Sequence, residues 1–328
     1  MQKDTARTPG ERAALEAARK QLVREQRAVN LRRFLSNRLS VVGLCIVTLM
    51  LLTALLAPVV TGAMGLDPYS AVVRDRLKPP SAVHPFGTDN LGRDIFARVL
   101  YGARISMTIG LVVGLLSAVI GTTLGILAAR HEGSAYDTIT SVTTYTMNSV
   151  PSFWLGLMFI ILFSTKLGWL PSYGMTTARK NYEGWAYVVD VMRHMALPIL
   201  TLTMVTMPKY FRTAKSSVLQ VMNEDFITTL RATGMSEKKI FSKYVFRNAI
   251  LPTITIFGIT MAYLITGVSL IEVVFSWPGM GRLVLTAINQ RDYPTLQGIY
   301  LIMSVSIAVV MILVDIIYAV FDPRIRYD

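Results

Sequence analysis

The chain is predicted to be an all-α polytopic membrane protein with six transmembrane helices. Three observations carry that reading. Of its 328 residues, 52% are hydrophobic and only 16% charged. Mean hydropathy is +0.47, too apolar for a soluble domain of this size. Uncharged runs recur at about the length, roughly 20 helical residues, that a hydrocarbon core requires.

The first run, 39–66, follows a basic segment, 1–38. It is too long, and too far from the start, for a signal peptide, so it is expected to stay as an anchor. Within 9–38, Leu15, Ala18 and Leu22 alternate with Arg and Glu, a pattern that suits a cationic helix on the inner leaflet or a disordered tail. An external loop, 67–104, leads to the second span, 105–129. The third is 138–165. The fourth has an uncharged core of only 14 residues, 195–208, and reaches 195–214 if Lys209 and Arg212 extend to the headgroups. A loop, 215–247, separates it from the fifth span, 248–271. The sixth, 293–320, is uncharged over 293–314 and precedes a short tail, 321–328. With both termini cytosolic, 21 of the 33 Lys and Arg residues lie inside, the sign that the positive-inside rule requires.

The net charge of +13 is dispersed between apolar runs, unlike the basic face beside stacking aromatics that nucleic acid needs. Membrane lipid is the expected partner and nucleic acid is not. The lone cysteine, Cys45, lies in an apolar run, so no disulfide or cysteine metal site is available. Phosphate-binding Gly-x-x-x-x-Gly-Lys-Ser/Thr and His-Glu-x-x-His patterns are both lacking. No catalytic, cofactor-binding or metal-ligating residue is therefore expected. Glu272 and Asp315 fall at span ends, and His84, His131 and His194 in loops, so a carrier with titratable stations at mid-membrane fits poorly. A membrane enzyme would need His, Asp or Cys clustered at one depth and fits no better.

Gly110, Gly114, Gly121 and Gly125 form two Gly-x-x-x-Gly pairs seven residues apart, a stripe suited to close helix packing or to lining a pathway. Pro151, beside Asn148 and Ser149, is expected to kink the third span. On the external side, Asp89 and Asp94 are expected to cap helices, and Trp277-Pro278-Gly279 to form an interfacial turn.

The largest inner connection carries Asp225, Phe226, then Arg231-Ala232-Thr233-Gly234 and Ser236-Glu237-Lys238-Lys239. Two short helices breaking at Gly234 are predicted, with Ser236 capping the second and Glu237 in its first turn. Arg231-Ala232-Thr233-Gly234, followed by Arg247-Asn248-Ala249-Ile250-Leu251-Pro252, resembles the EAA loop of the binding-protein-dependent ABC importer permeases, in their dipeptide, oligopeptide and nickel branch. Thr228-Thr229-Leu230 stands where that loop's Glu-Ala-Ala would fall. Phe86-Gly-Thr-Asp-Asn-Leu-Gly-Arg-Asp94 and Gly102-Ala-Arg-Ile-Ser106 are similar to the family's C-type subunits. Gly168-Trp-Leu-Pro171, Glu272-Val-Val-Phe-Ser-Trp-Pro-Gly-Met-Gly-Arg282, Arg291-Asp-Tyr-Pro294 and Phe321-Asp-Pro-Arg-Ile-Arg-Tyr327 are similar to the B-type. The chain reads as a mosaic of the two.

The resemblance implies a type I ABC importer permease fold in an inner membrane, over residues 104–320, and half of a translocation path. Partners would be a second permease, two ABC ATPases that hold ATP and Mg²⁺, and a periplasmic or lipid-anchored substrate-binding protein. ATPase coupling would fall to Asp225, Arg231, Ala232, Thr233, Gly234 and Glu237. Docking of the binding protein, or an external gate, would fall to Asp89, Arg93, Asp94, Trp277, Pro278 and Gly279. Di- and oligopeptides are the expected solutes; nickel chelates, glutathione, opines and oligosaccharides are the family's others.

Overall fold

The computed structural model describes residues 56–178, 180–265 and 269–321. The basic segment 1–38, most of the first predicted span and the tail from 322 lie outside the described residues. Helix α1 (Ala57–Ala63) precedes an irregular layer with one 3₁₀ turn, Val73–Asp75. Two long helices follow, α2 (Ile95–Arg130) and α5 (Gly184–Met222), with α3 (Ala135–Ser149) and α4 (Ser152–Phe159, continuing as a π-helix to Lys166) between them. Short α6 (Asp225–Ala232) and α7 (Glu237–Ile240) lead through a π-helical stretch, Phe241–Val245, and a turn, Phe246–Ala249, into α8 (Leu251–Ile265). The described residues close with α9 (Ser269–Val274), α10 (Met280–Gln290) and α11 (Tyr293–Phe321). Among the described residues there is no strand.

Among the described residues three stretches, Ile95–Arg130, Gly184–Met222 and Glu237–Met261, are long and apolar enough to cross a membrane, or four if the bent α3–α4 pair is one span. At 1.5 Å per residue, α2 and α5 are about 54 and 58 Å long, so both project well beyond the hydrocarbon. Leu111, Leu115 and Val119 of α2 and Ile139 and Val142 of α3 are exposed, as side chains facing lipid or another subunit are.

Several boundaries differ from the sequence expectation. The second span's helix begins ten residues earlier, because the Asp94 carboxylate accepts Ala97 N–H at 2.7 Å and caps it there. The fourth is the middle of a 39-residue helix that holds Pro198 and Pro208 inside it. Charge marks where lipid ends, and a helix whose charged residues find partners continues past that point. Thr177 bonds Asp190 near the start of α5, and Lys215 bonds Asp137 near its end. Residues 215–222 therefore belong to α5 and not to the loop. Helical structure before the fifth span begins at Glu237. The third span is two segments meeting at 103°; Pro151 offers no N–H to α3, and Val150 before it is extended.

The glycine stripe is a packing seam. A Cβ on Gly121 would lie on the Met207 carbonyl oxygen and 2.8 Å from Tyr210 Cβ, and one on Gly125 would press the Phe211 carbonyl and Ala214. Gly114 meets Met261 of α8 instead. Because backbone blocks the site at Gly121, Gly121→Val is expected to separate α2 from α5 and cost about 3 kcal/mol, read as a lower unfolding temperature in detergent.

Candidate functional site

The loop after α5 is a small folded unit. Ile227 of α6 is 0% exposed and packs with Ala129, Val218, Ile240, Val245 and Ala249, anchoring the loop to the ends of α2 and α5 and to the turn before α8. The Arg130 guanidinium lies 4.8 Å from the Phe241 ring centre and closes the same corner.

Helix α6 ends in a Schellman motif. Gly234 N–H donates to the Arg231 carbonyl at 2.9 Å, and Met235 N–H to that of Leu230 at 3.2 Å. Leu230 and Met235 both pack on the Ile227 cluster. The motif needs a left-handed residue, and Gly234 has φ +74°. The predicted break is therefore a defined geometry. Ser236 departs from expectation: its hydroxyl makes no cap, and its carbonyl accepts the N–H groups of Lys239 and Ile240. Glu237 reaches back across the break to Arg231, Nε to Oε1 at 2.8 Å. That hydrogen bond raises the Arg231 guanidinium's pKa above its usual value. Both side chains are exposed, so the pair orients α7 against α6 and adds little stability. Asp225, Arg231, Ala232, Thr233, Gly234 and Glu237 share the exposed surface. The sequence reading gave no role to Phe226, a 40%-exposed aromatic beside the buried Ile227. A large aromatic at the start of a short helix in a polar loop was the available sign.

At the other end of the bundle, the predicted docking residues are mostly internal. Asp89 is 0% exposed; it accepts Arg93 Nε at 2.8 Å, Arg98 Nη1, and the N–H groups of Leu91 and Arg93. Asp94 is buried between the N-terminus of α2 and His84 Nδ1, 2.9 Å away. Trp277 is 3% exposed and Gly279 buried, while Pro278 and Arg93 are half-buried. Asp89, Asp94 and Trp277 thus build this face from within; a partner would not reach their side chains.

Glu272, which the sequence reading placed at the end of a span and at the head of a B-type-like motif without giving it a task, organises this end. Its carboxylate accepts the Ser106 hydroxyl of α2 at 2.7 Å and Arg282 N–H at 2.8 Å, while Met280 N–H donates to Ser106 Oγ at 2.9 Å. Two otherwise orphaned N–H groups of α10's first turn are thereby capped by residues of α9 and α2. Gly279 is glycine because a Cβ there would strike the Glu272 carboxylate, and Gly281 because one would come 2.6 Å from Ser269 Cα. Beneath them Ser106, Pro198, Leu202, Leu264, Glu272 and Trp277 line a cavity. The Trp277 indole N–H has no partner among the described residues.

His194 is a further correction. It lies buried in α5, and its Nδ1–H donates to the Asp190 carbonyl at 2.8 Å. Among the described residues, no three His, Cys, Asp or Glu side chains are grouped to hold a metal.

The family described as "Binding-protein-dependent transport system inner membrane component" matches residues 121–327. The "N-terminal TM domain of oligopeptide transport permease C" matches 26–80. Similar curated proteins include the "Oligopeptide transport system permease protein AppB" of Bacillus subtilis, 35% identical over 244 residues, 74% of this chain and 76% of that one. The "Di/tripeptide transport system permease protein DppB" of Pseudomonas aeruginosa is 30% identical over 338 residues, 90% of this chain and 99% of that one. Among solved structures, an inward-facing MetNI methionine ABC transporter shares the fold, with a TM-score of 0.53 at 17% identity over 69% of this chain and 96% of that one.

Proposed function

The chain belongs to the family of binding-protein-dependent transport system inner membrane components, and on that premise we propose that it is one permease subunit of an ATP-driven peptide importer, coupled to its ATPases through residues 223–240. One observation carries the coupling assignment: α6 is a rigid knob, anchored by Ile227, ended at Gly234, and presenting Asp225 and Phe226 outward. A loop transmits force only if it does not yield, and this one is held at both ends. Its outward aromatic suits a pocket on a partner, as interface anchors do.

Two ATPases hold ATP and Mg²⁺ and hydrolyse it; this chain contributes mechanics. Their closure draws the coupling loops of two permeases together and turns the cavity between them outward, where a substrate-binding protein delivers solute. Hydrolysis resets it inward. Six spans leave both termini on the ATPase side of an inner membrane. Peptide as the solute is supported by the names of the relatives, AppB and DppB.

Purification in mild detergent tests the coupling. An ABC ATPase is expected to accompany the wild-type chain, and a stand-alone carrier would come alone. Phe226→Ala is expected to weaken ATPase association by about 2 kcal/mol, some 30-fold, with normal membrane insertion. Asp225→Lys, which puts a cation at the N-terminus of α6, is expected to lower ATP-driven uptake at least about tenfold in reconstituted vesicles.

A further inference from the structure

Helix α3 is held to the bundle unlike its neighbours. Of its 15 residues only Asp137 and Thr144 are buried, and among the described residues none of the three hydrophobic clusters contains an α3 side chain. The Thr144 hydroxyl donates to the Thr140 carbonyl of its own helix. Two side-chain contacts tie α3 to α5. The Tyr145 ring meets Phe211 edge-on, with centroids 6.2 Å apart. One turn further along α5, Lys215 Nζ donates to the Asp137 carboxylate and, at 3.2 Å, to Ser141 Oγ. Asp137 is 7% exposed and also accepts Gly133 N–H at 3.2 Å and the Ser141 hydroxyl at 3.1 Å. The lysine thus grips a carboxylate that is already fixed at the start of α3.

This tie joins two different parts of the molecule. Val218, three residues beyond Lys215, packs with Ile227 of α6, so the cation stands on the stretch of α5 that carries the 223–240 loop. At its far end α3 reaches Pro151, where the chain turns through 103° into α4. Among the described residues no backbone hydrogen bond joins α3 to α4. Helix α4 is firmly seated: Gly156 lies against the Phe275 ring, and Phe159, Ile160 and Phe163 pack on the cluster of Phe275 and Trp277. Helix α3 is therefore a rod with a hinge at one end and a charge pair at the other.

We propose that Asp137 and Lys215 are positioning residues of the transport cycle, whose pairing steers α3 about the Pro151 hinge when the coupling loop moves α5. This rests on the coupling reading of residues 223–240. Apolar packing would hold a static helix as well or better, because a partly buried ion pair gives up hydration for its attraction. The pair adds guidance without a fixed fit, since a flexible lysine stem keeps its contact while the helix turns. The exposed Ile139 and Val142 of α3 then travel with the coupling loop, while α4 stays with the external layer.

The test uses the complete transporter in lipid vesicles, with binding protein and labelled peptide, and reads peptide taken up per ATP hydrolysed. Lys215→Met leaves Asp137 charged and unpaired, and is expected to lower both the unfolding temperature and uptake. Asp137→Asn/Lys215→Met removes both charges and keeps an acceptor oxygen for Gly133 N–H. The double variant is expected to unfold closer to the wild-type temperature and to hydrolyse ATP. Its uptake per ATP is nevertheless expected to stay at least about tenfold below wild type. Lys215→Arg, which keeps the cation, is expected to retain most of that ratio. A wild-type ratio in the double variant, whatever its stability, overturns the proposal and leaves the pair a structural staple. So does a ratio in Lys215→Arg as low as in the double variant, because charge would not then be what steers. Failure of the coupling reading would appear separately, as uptake indifferent to changes in the 223–240 loop.

Discussion

Gly234→Val is expected to reduce ATP-driven uptake at least about tenfold, while the protein inserts and purifies as the wild type does. A Cβ at this position would meet nothing within 4 Å, so bulk is not the difficulty. The difficulty is φ +74°. A left-handed conformation costs an L-residue roughly 1–2 kcal/mol, more for a β-branched one. Valine would relieve that strain by unwinding the Schellman turn, which releases Met235 from Leu230 and lets α6 swing on Ile227. Asparagine tolerates this conformation. Gly234→Asn is therefore expected to retain most uptake, with alanine between the two. Uptake assays on the three variants separate this account from one based on size, in which asparagine would fail as badly as valine.

Glu272→Gln is expected to destabilise the external layer by about 3 kcal/mol, although the change is nearly isosteric. The carboxylate accepts from the Ser106 hydroxyl and Arg282 N–H on its two oxygens. A glutamine offers one acceptor oxygen and turns an NH₂ toward a donor, so a buried N–H or O–H loses its partner. Limited proteolysis from the external side is expected to cut near α10 in the variant and not in the wild type. Unchanged proteolysis and unfolding temperature would mean that α10 is held by its apolar face, through Met280 and Leu283, and not by its cap.

These two residues also mark what was legible in the sequence. Gly234 was readable because everything it does is local: a short helix, a left-handed residue and the next helix lie within a dozen positions. The same holds for the Asp94 cap and for Pro151. The glycine stripe could be read as a packing surface without its partner being known. Glu272 was not readable, since Ser106 is 166 residues away, and neither residue has meaning without the other. The underestimated length of α5 has the same origin. Lys215 looked like the start of a loop because Asp137, 78 residues earlier, could not be seen to hold it. Asp89, Asp94 and Trp277 were expected at a docking face or gate and are buried; residue type alone does not distinguish a side chain that builds a surface from one that displays it.

The central claim is that this chain is half of a peptide path worked by ATPases through its coupling loop. Vesicles holding the complete transporter, with binding protein and labelled peptide on one side and ATP supplied to the ATPases on the other, test it directly. Peptide is expected to accumulate against its gradient only with ATP, and to stop accumulating when Gly234 is valine. Accumulation that persists without the ATPases, driven by an imposed ion gradient, would contradict the account.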